Sequence, residues 1–247
     1  MLVQCSICIA AYDKPRPLAR VLESIYTQSP PFAFETIVVD DGSPIPLAKV
    51  CEPFPVHYVR IERPPGFRNP SRARNVAYRM AKGEVIIAQS DEVIHASERA
   101  IERLVGSLTP GRFVIATVFN VDKHGRTVFD KGIVQNQRGI AQYTGPATRR
   151  PFFFLGSLYR ADLYAVGGND EDFVEPCYED DWFALCLTRG RQLDAYYAAD
   201  IVGHHQHHAH FQDAPAIGRS RQIFDRKVAE ATAGRALWQA SGGPWDG

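Results

Sequence analysis

Leu2 to Ala11 (LVQCSICIAA) is a nearly continuous apolar run, which predicts a short strand buried on both faces, as in a parallel sheet. Between Asp13 and Ser29, Leu18, Val21, Leu22 and Ile25 recur at helical spacing, with Pro15 and Pro17 near the start and Pro30-Pro31 as the stop. Thr36–Val39, His57–Ile61 and Val85–Ala88 read as further strands, and Arg72–Lys82 as a helix closed by Gly83. Strand and helix therefore alternate over residues 1–110, the pattern of a parallel α/β sheet with right-handed crossovers.

The second half is patterned differently. Phe113–Val121 and Thr127–Phe129 read as strands, and Asp130–Arg150 is a polar stretch without period, expected to be a loop. Phe152–Arg160 is apolar again. Asp180–Arg189 reads as a helix closed by Gly190, Leu193–Val202 as a last strand, and Ile217–Gln239 as a basic and apolar helix. No internal repeat or low-complexity linker divides the chain.

Composition narrows the classes. The 247 residues are 45% hydrophobic, too apolar for a disordered chain, and no apolar run approaches the ~20 residues of a membrane helix. No basic segment followed by an apolar one opens the chain, so a cytoplasmic protein is expected. Lys and Arg total 28 against 28 Asp and Glu, which argues against bulk nucleic-acid binding. The five cysteines (Cys5, Cys8, Cys51, Cys177, Cys186) are odd in number. Cys5 and Cys8 form a CxxC whose odd separation on a strand puts them on opposite faces, so all five are read as core thiols of a reducing compartment.

The chemistry is expected at the carboxyl ends of the parallel strands. Three of these ends carry polar or acidic residues: Tyr12-Asp13, Asp40-Asp41-Gly42-Ser43 and Ser90-Asp91-Glu92. Neither GxGxxG nor GxxxxGK[ST] is present. Carboxylates at such ends suit donors on a base or ribose, or a divalent cation that meets a diphosphate; the plain alternatives are a turn and a helix cap.

These residues resemble a known pattern. Ser6-Ile7-Cys8-Ile9-Ala10-Ala11-Tyr12-Asp13, Glu35-Thr36-Ile37-Val38-Val39-Asp40-Asp41-Gly42-Ser43, Ala73-Arg74-Asn75, Ala81-Lys82-Gly83-Glu84, Gly167-Gly168-Asn169-Asp170-Glu171 and Glu179-Asp180-Asp181 stand in the order of a GT-A fold glycosyltransferase of the family 2 type, over about residues 3 to 205. The resemblance implies a Rossmann-like, mostly parallel central sheet flanked by helices, with a smaller acceptor-side subregion and a C-terminal helix. Residues 1–110 would be the nucleotide-sugar half, 111–212 the acceptor and catalytic half, and 213–247 a helical extension. It implies that Tyr12 and Asp41 hold the nucleotide base, usually uracil, and that Asp91 meets the ribose, with Ala11, Asp13 and Ser90 in the same donor site. Glu92 would ligate Mn²⁺ or Mg²⁺. Asp180 would be the general base, with Glu179 or Asp181 orienting it. The sequence departs from the family at Ser90 and Glu92, where the first and last Asp of a DxD motif usually stand. A single base opposite the leaving group means inversion; a retaining transferase, a nucleotidyltransferase and a non-catalytic nucleotide-sugar binder are the rivals.

Two clusters complete the expectation. His204, His205, His207, His208 and His210 follow the last strand; His205 is the first choice of metal ligand, with His208 and His204 behind it. Arg72 and Arg74 are candidates for phosphate contact. The last helix carries Arg219, Arg221, Arg226, Lys227 and Arg235 beside Ile223, Phe224, Val228, Leu237 and Trp238. That composition fits a peripheral membrane contact, a homodimer face, or a core helix with snorkelling cations. The donor is expected to be a UDP-sugar; the acceptor is a hydroxyl of unread identity.

Overall fold

The computed structural model describes residues 3–122, 124–127, 142–207 and 213–246. The first apolar run forms β1 (Cys5–Ala11), buried at all but one position. It is followed by α1 (Pro15–Tyr26), whose prolines sit in the first turn, where a missing N–H costs nothing. Leu18, Val21, Leu22 and Ile25 are all fully buried, as their spacing requires. β2 (Phe34–Asp40) and β3 (Val56–Arg60) are joined by the single turn α2 (Ala48–Cys51). Then come α3 (Ser71–Met80), β4 (Val85–Ser90), β5 (Val93–His95), α4 (Ala100–Gly106) and β6 (Arg112–Asn120). The remainder is β7 (Gln142–Thr144), β8 (Leu155–Tyr159), α5 (Arg160–Ala165), α6 (Glu179–Leu185) with a π-helical turn at Cys186–Gly190, β9 (Asp194–His205) and α7 (Ala214–Thr232).

All nine strands join one sheet in the order β3-β2-β1-β4-β8-β6-β9-β5, with β7 on β6. β3, β2, β1 and β4 are mutually parallel. β8 then pairs antiparallel with both β4 and β6, grafting the second half onto the first, and β6 and β9 are parallel. One face packs Ile7, Ile9, Leu22, Ile101 and Leu104; the other packs Cys8, Val39, Ala77, Tyr78, Phe113 and Phe183. Cys5 belongs to the first layer and Cys8 to the second, which separates the CxxC as expected. Cys5, Cys8, Cys51 and Cys186 are buried free thiols; Cys177 is the exception to the core reading, being exposed.

Several boundaries moved for physical reasons. Gly83 does not cap α3, which ends at Met80; it lies where a Cβ would meet the Cys5 backbone at 2.6 Å, so the chain needs glycine there to cross β1 closely. β9 continues three residues past Val202, because Val202–His205 pairs β6 on one side and β5 in part on the other. His204 and His205 therefore belong to the strand. α7 starts at Ala214 because the Asp213 carboxylate accepts the Ala216 N–H at 3.0 Å, and it stops before Gly234, which has φ 69°. The strand expected at Thr127–Phe129 is described only at Thr127, which bridges Val121. Residues 130–141 of the predicted loop lie outside the described residues, and its described part holds β7. Among the described residues no helix is long and apolar enough to cross a membrane.

Candidate functional site

β1, β2 and β4 end on one rim because they are parallel and in register: Ala11 lies opposite Asp40, and Ala10 opposite Ser90. The Asp41 N–H extends the ladder to the Ala11 carbonyl at 2.9 Å. The two neighbouring aspartates then part in role. Asp40 organises the turn, accepting the Ser43 and Leu47 N–H groups at 2.9 and 3.0 Å and the Tyr58 hydroxyl at 2.7 Å. Burial opposes its ionisation, but these donors hold its carboxyl below the ordinary value. Gly42, at φ 73°, turns the chain so that Asp41 faces the cleft.

Asp41 is buried, with its carboxyl raised by desolvation and opposed by Arg63. Arg63 donates from Nε to Asp41 Oδ2 at 2.9 Å and pairs with it through Nη2 at 2.7 Å, and its guanidinium carbon lies 3.5 Å from the centroid of the Tyr12 ring. The Tyr12 N–H donates to Asp91 Oδ2 at 3.3 Å, and the Asp13 N–H, at φ 51°, to Ser43 Oγ at 2.9 Å. Tyr12, Asp13, Asp41 and Asp91 thus form one connected group, with Ala11 and Ser90 as the strand residues that carry it.

The other end of the rim is built around Glu92. Its backbone carbonyl accepts the Gln206 N–H at 2.9 Å, which brings His205 alongside, and His205 Nε2 lies 3.2 Å from Glu92 Oε2. Both side chains are buried. The Tyr143 and Phe154 rings flank His205 at 5.5 and 5.6 Å. The Lys14 ammonium forms an ion pair with Glu92; burial works against its charge, but Asp91 and Glu92 hold its pKa above the ordinary value. A hard carboxylate oxygen beside an imidazole nitrogen suits Mn²⁺ or Mg²⁺ as the protein's share of a coordination shell whose other positions belong to diphosphate and water. Among the described residues no group of three His, Cys, Asp or Glu could hold an ion by itself.

The acidic run opens α6. Cys177 and Tyr178 immediately before it both have left-handed φ, 78° and 68°. Two such non-glycine residues together cost about 1–2 kcal/mol each, a strain that concentrates at functional turns. Asp180 Oδ1 accepts Arg74 Nη1 at 2.7 Å, with both side chains nearly buried. Glu179 is pushed above the ordinary carboxylate range by burial and by the Asp180 charge. Asp181 is raised to about 6 for the same two reasons, with Arg150 opposing.

The structure thus gathers the expected residues into two groups. Ala11, Tyr12, Asp13, Asp41, Ser90, Asp91, Glu92 and His205 share the strand-end rim, and Glu179 and Asp180 stand at the start of α6. Arg74 sits against Asp180, and Arg72 donates to the Glu62 carbonyl. His208 lies outside the described residues. Sequence reasoning passed over Arg63 and Lys14. Arg63 lies just beyond β3 and Lys14 just beyond β1, so the strand-end rule that found the acids, applied to cations, would have found both. On α7, Lys227 is turned inward to Asp170 at 2.9 Å and Asp172 at 2.7 Å, and Arg219 to Glu175 at 2.5 Å. Those two cations hold the helix to the molecule.

The sequence profile of glycosyl transferase family 2 matches residues 6–161. No curated protein matches the chain by sequence. Among solved structures, it is similar to S. aureus TarS 1–349 in complex with UDP: 16% identity, TM-score 0.61, covering 94% of this chain and 72% of that one. For the same TarS fragment with UDP-GlcNAc the values are 16%, 0.63, 92% and 66%. For the mannosyltransferase PcManGT from Pyrobaculum calidifontis with GDP-Man and Mn²⁺ they are 17%, 0.62, 92% and 64%. The chain spans about two thirds of these structures, and 40% of a longer TarS chain.

Proposed function

The chain belongs to glycosyl transferase family 2, and on that premise we propose that it transfers a sugar, with inversion, from a UDP-sugar to an acceptor hydroxyl. One observation carries the reading: the in-register ends of β1, β2 and β4 bring Tyr12, Asp41, Asp91 and the Glu92–His205 pair onto one rim. The Tyr12 ring offers a stacking face and Asp41 an acceptor for the base; Asp91 is placed for the ribose. A divalent cation held by Glu92 and His205 would neutralise the diphosphate as it leaves. Lys14, already against Glu92, adds a second positive charge at that place.

Asp180 acts as the base. The Arg74 pair holds Oδ1, leaving Oδ2 for the acceptor proton. As the acceptor oxygen bonds to the anomeric carbon, the bond from that carbon to the diphosphate breaks, UDP departs, and the hydroxyl proton goes to Asp180. Attack opposite the leaving group inverts the anomeric centre.

The test is Asp180→Asn. UDP with Mn²⁺ should raise the melting temperature of both wild type and variant by mass action. Transfer, scored against a panel of nucleotide sugars and acceptors, should fall by at least about 10²-fold in the variant alone. Wild-type turnover in the variant removes Asp180 as base. Absence of any UDP shift at millimolar concentration removes the donor assignment.

A further inference from the structure

We propose that Arg63 is the occupant of the nucleobase slot in the free protein and must leave it before a base can bind. The inference rests on the donor-site reading above and says what that site gives up on binding.

Arg63 has the form of a base. Its guanidinium is planar and stacks on Tyr12 with its carbon 3.5 Å from the ring centroid, a separation that leaves no room for a heterocycle between them. Its edge faces a single oxygen, Asp41 Oδ2, with Nε donating to it at 2.9 Å and Nη2 paired with it at 2.7 Å. The other oxygen of Asp41, Oδ1, is buried without a hydrogen-bond partner among the described residues, so the slot is not saturated by Arg63. A ring that replaces the guanidinium must satisfy the same carboxylate. The imide N–H of uracil and the lactam N–H and amine of guanine do so.

The backbone is arranged for this occupancy. The Ile61 N–H bonds to the Asp40 carbonyl at 2.9 Å, which lays the segment leading to Arg63 over the Asp40–Ser43 turn. Gly42 lies beneath it: a Cβ there would meet both the Cβ and the backbone nitrogen of Arg63 at 3.0 Å. The Arg63 side chain is 19% exposed, enough to swing outward when a ligand replaces it. Binding is therefore an exchange, in which the protein gives up an ion pair and a cation–π stack and the base restores a hydrogen bond and a stack.

The measurement is calorimetric binding of UDP, GDP, CDP and ADP, each with Mn²⁺, to wild type, Arg63→Ala and Arg63→Lys. Removing the occupant should tighten the accepted nucleotide by about 5- to 10-fold. Lysine, which can neither stack as a plane nor fork, should also bind more tightly than wild type. Weaker binding in Arg63→Ala overturns the placeholder role; if lysine then restores affinity, Arg63 is a charge clamp for the phosphates. If no nucleotide binds wild type, the donor-site reading itself fails, an outcome distinct from all of these.

Discussion

Asp181 stands in the acidic run that opens α6, and its carboxyl is raised to about 6, first by burial and then by the neighbouring Asp180 charge. A folded-state pKa above the unfolded value of 3.8 means that the native state binds the extra proton between about pH 4 and pH 6. Stability therefore falls as pH rises through that window and stays lower above it. Glu179 shifts in the same direction. Asp180 is the one member of the run with a cation, Arg74, directly on it. The arrangement concentrates negative charge at one turn and neutralises only its middle member. Asp181→Asn should raise the melting temperature at pH 7.5 by about 2–4 °C, equivalent to about 1 kcal/mol, and have little effect at pH 3.5. Thermal scans at the two pH values check this, and equal shifts at both would remove electrostatic repulsion as the cause.

At the scale of elements, the site is held from behind by α7. Lys227 reaches from that helix to Asp170, which is fully buried, and to Asp172 and Ser241, while Ser220 and Arg219 hold Glu175. These acids lie in the segment that leads into the strained Cys177–Tyr178 turn and α6. Lys227→Met keeps the aliphatic stem and deletes the charge, leaving Asp170 buried without its cation. Breaking a buried pair in this way costs about 3–5 kcal/mol, or about 10 °C for a chain of this size. Adding Asp170→Asn should return part of that loss, since the unpaired charge goes with it; no recovery in the double variant would show that packing, not charge, was lost. The specific acid partners were not legible in the sequence, where the cations of this helix fit a membrane contact, a second copy or a helix packed on the core. Helical spacing reports which residues share a face, not what that face meets. By contrast α1 was read to within a few residues, because four apolar positions and two prolines are local signals. β1 and β2 were equally plain, and with them Tyr12, Asp41, Asp91 and Glu92, since strand ends in a parallel sheet can be located without knowing any long-range contact.

The whole molecule is one sheet, and the way its halves join is what the sequence conceals. β8 comes from residues 155–159, yet it lies beside β4, and Ser90 at the end of β4 donates its N–H to the Phe154 carbonyl at 2.9 Å. The pairing between β5 and β9 sets His205 against Glu92 across 113 positions of chain. Such pairings leave no local trace, so the alternation over residues 1–110 shows a nucleotide-sugar half of one domain but not what covers its last strand. β4 is buried at all six positions, with β1 on one edge and β8 on the other, and without β8 its second edge presents unpaired N–H and C=O groups beside apolar side chains. The fragment 1–110 should therefore fail to fold alone, giving poorly dispersed amide resonances or aggregation. The full chain should unfold in a single transition whose calorimetric and van't Hoff enthalpies agree. A fragment that folds and binds UDP would show that the halves are independent units. The donor rim would then have to hold its ligand without His205, and Glu92 would have to act with Lys14 alone.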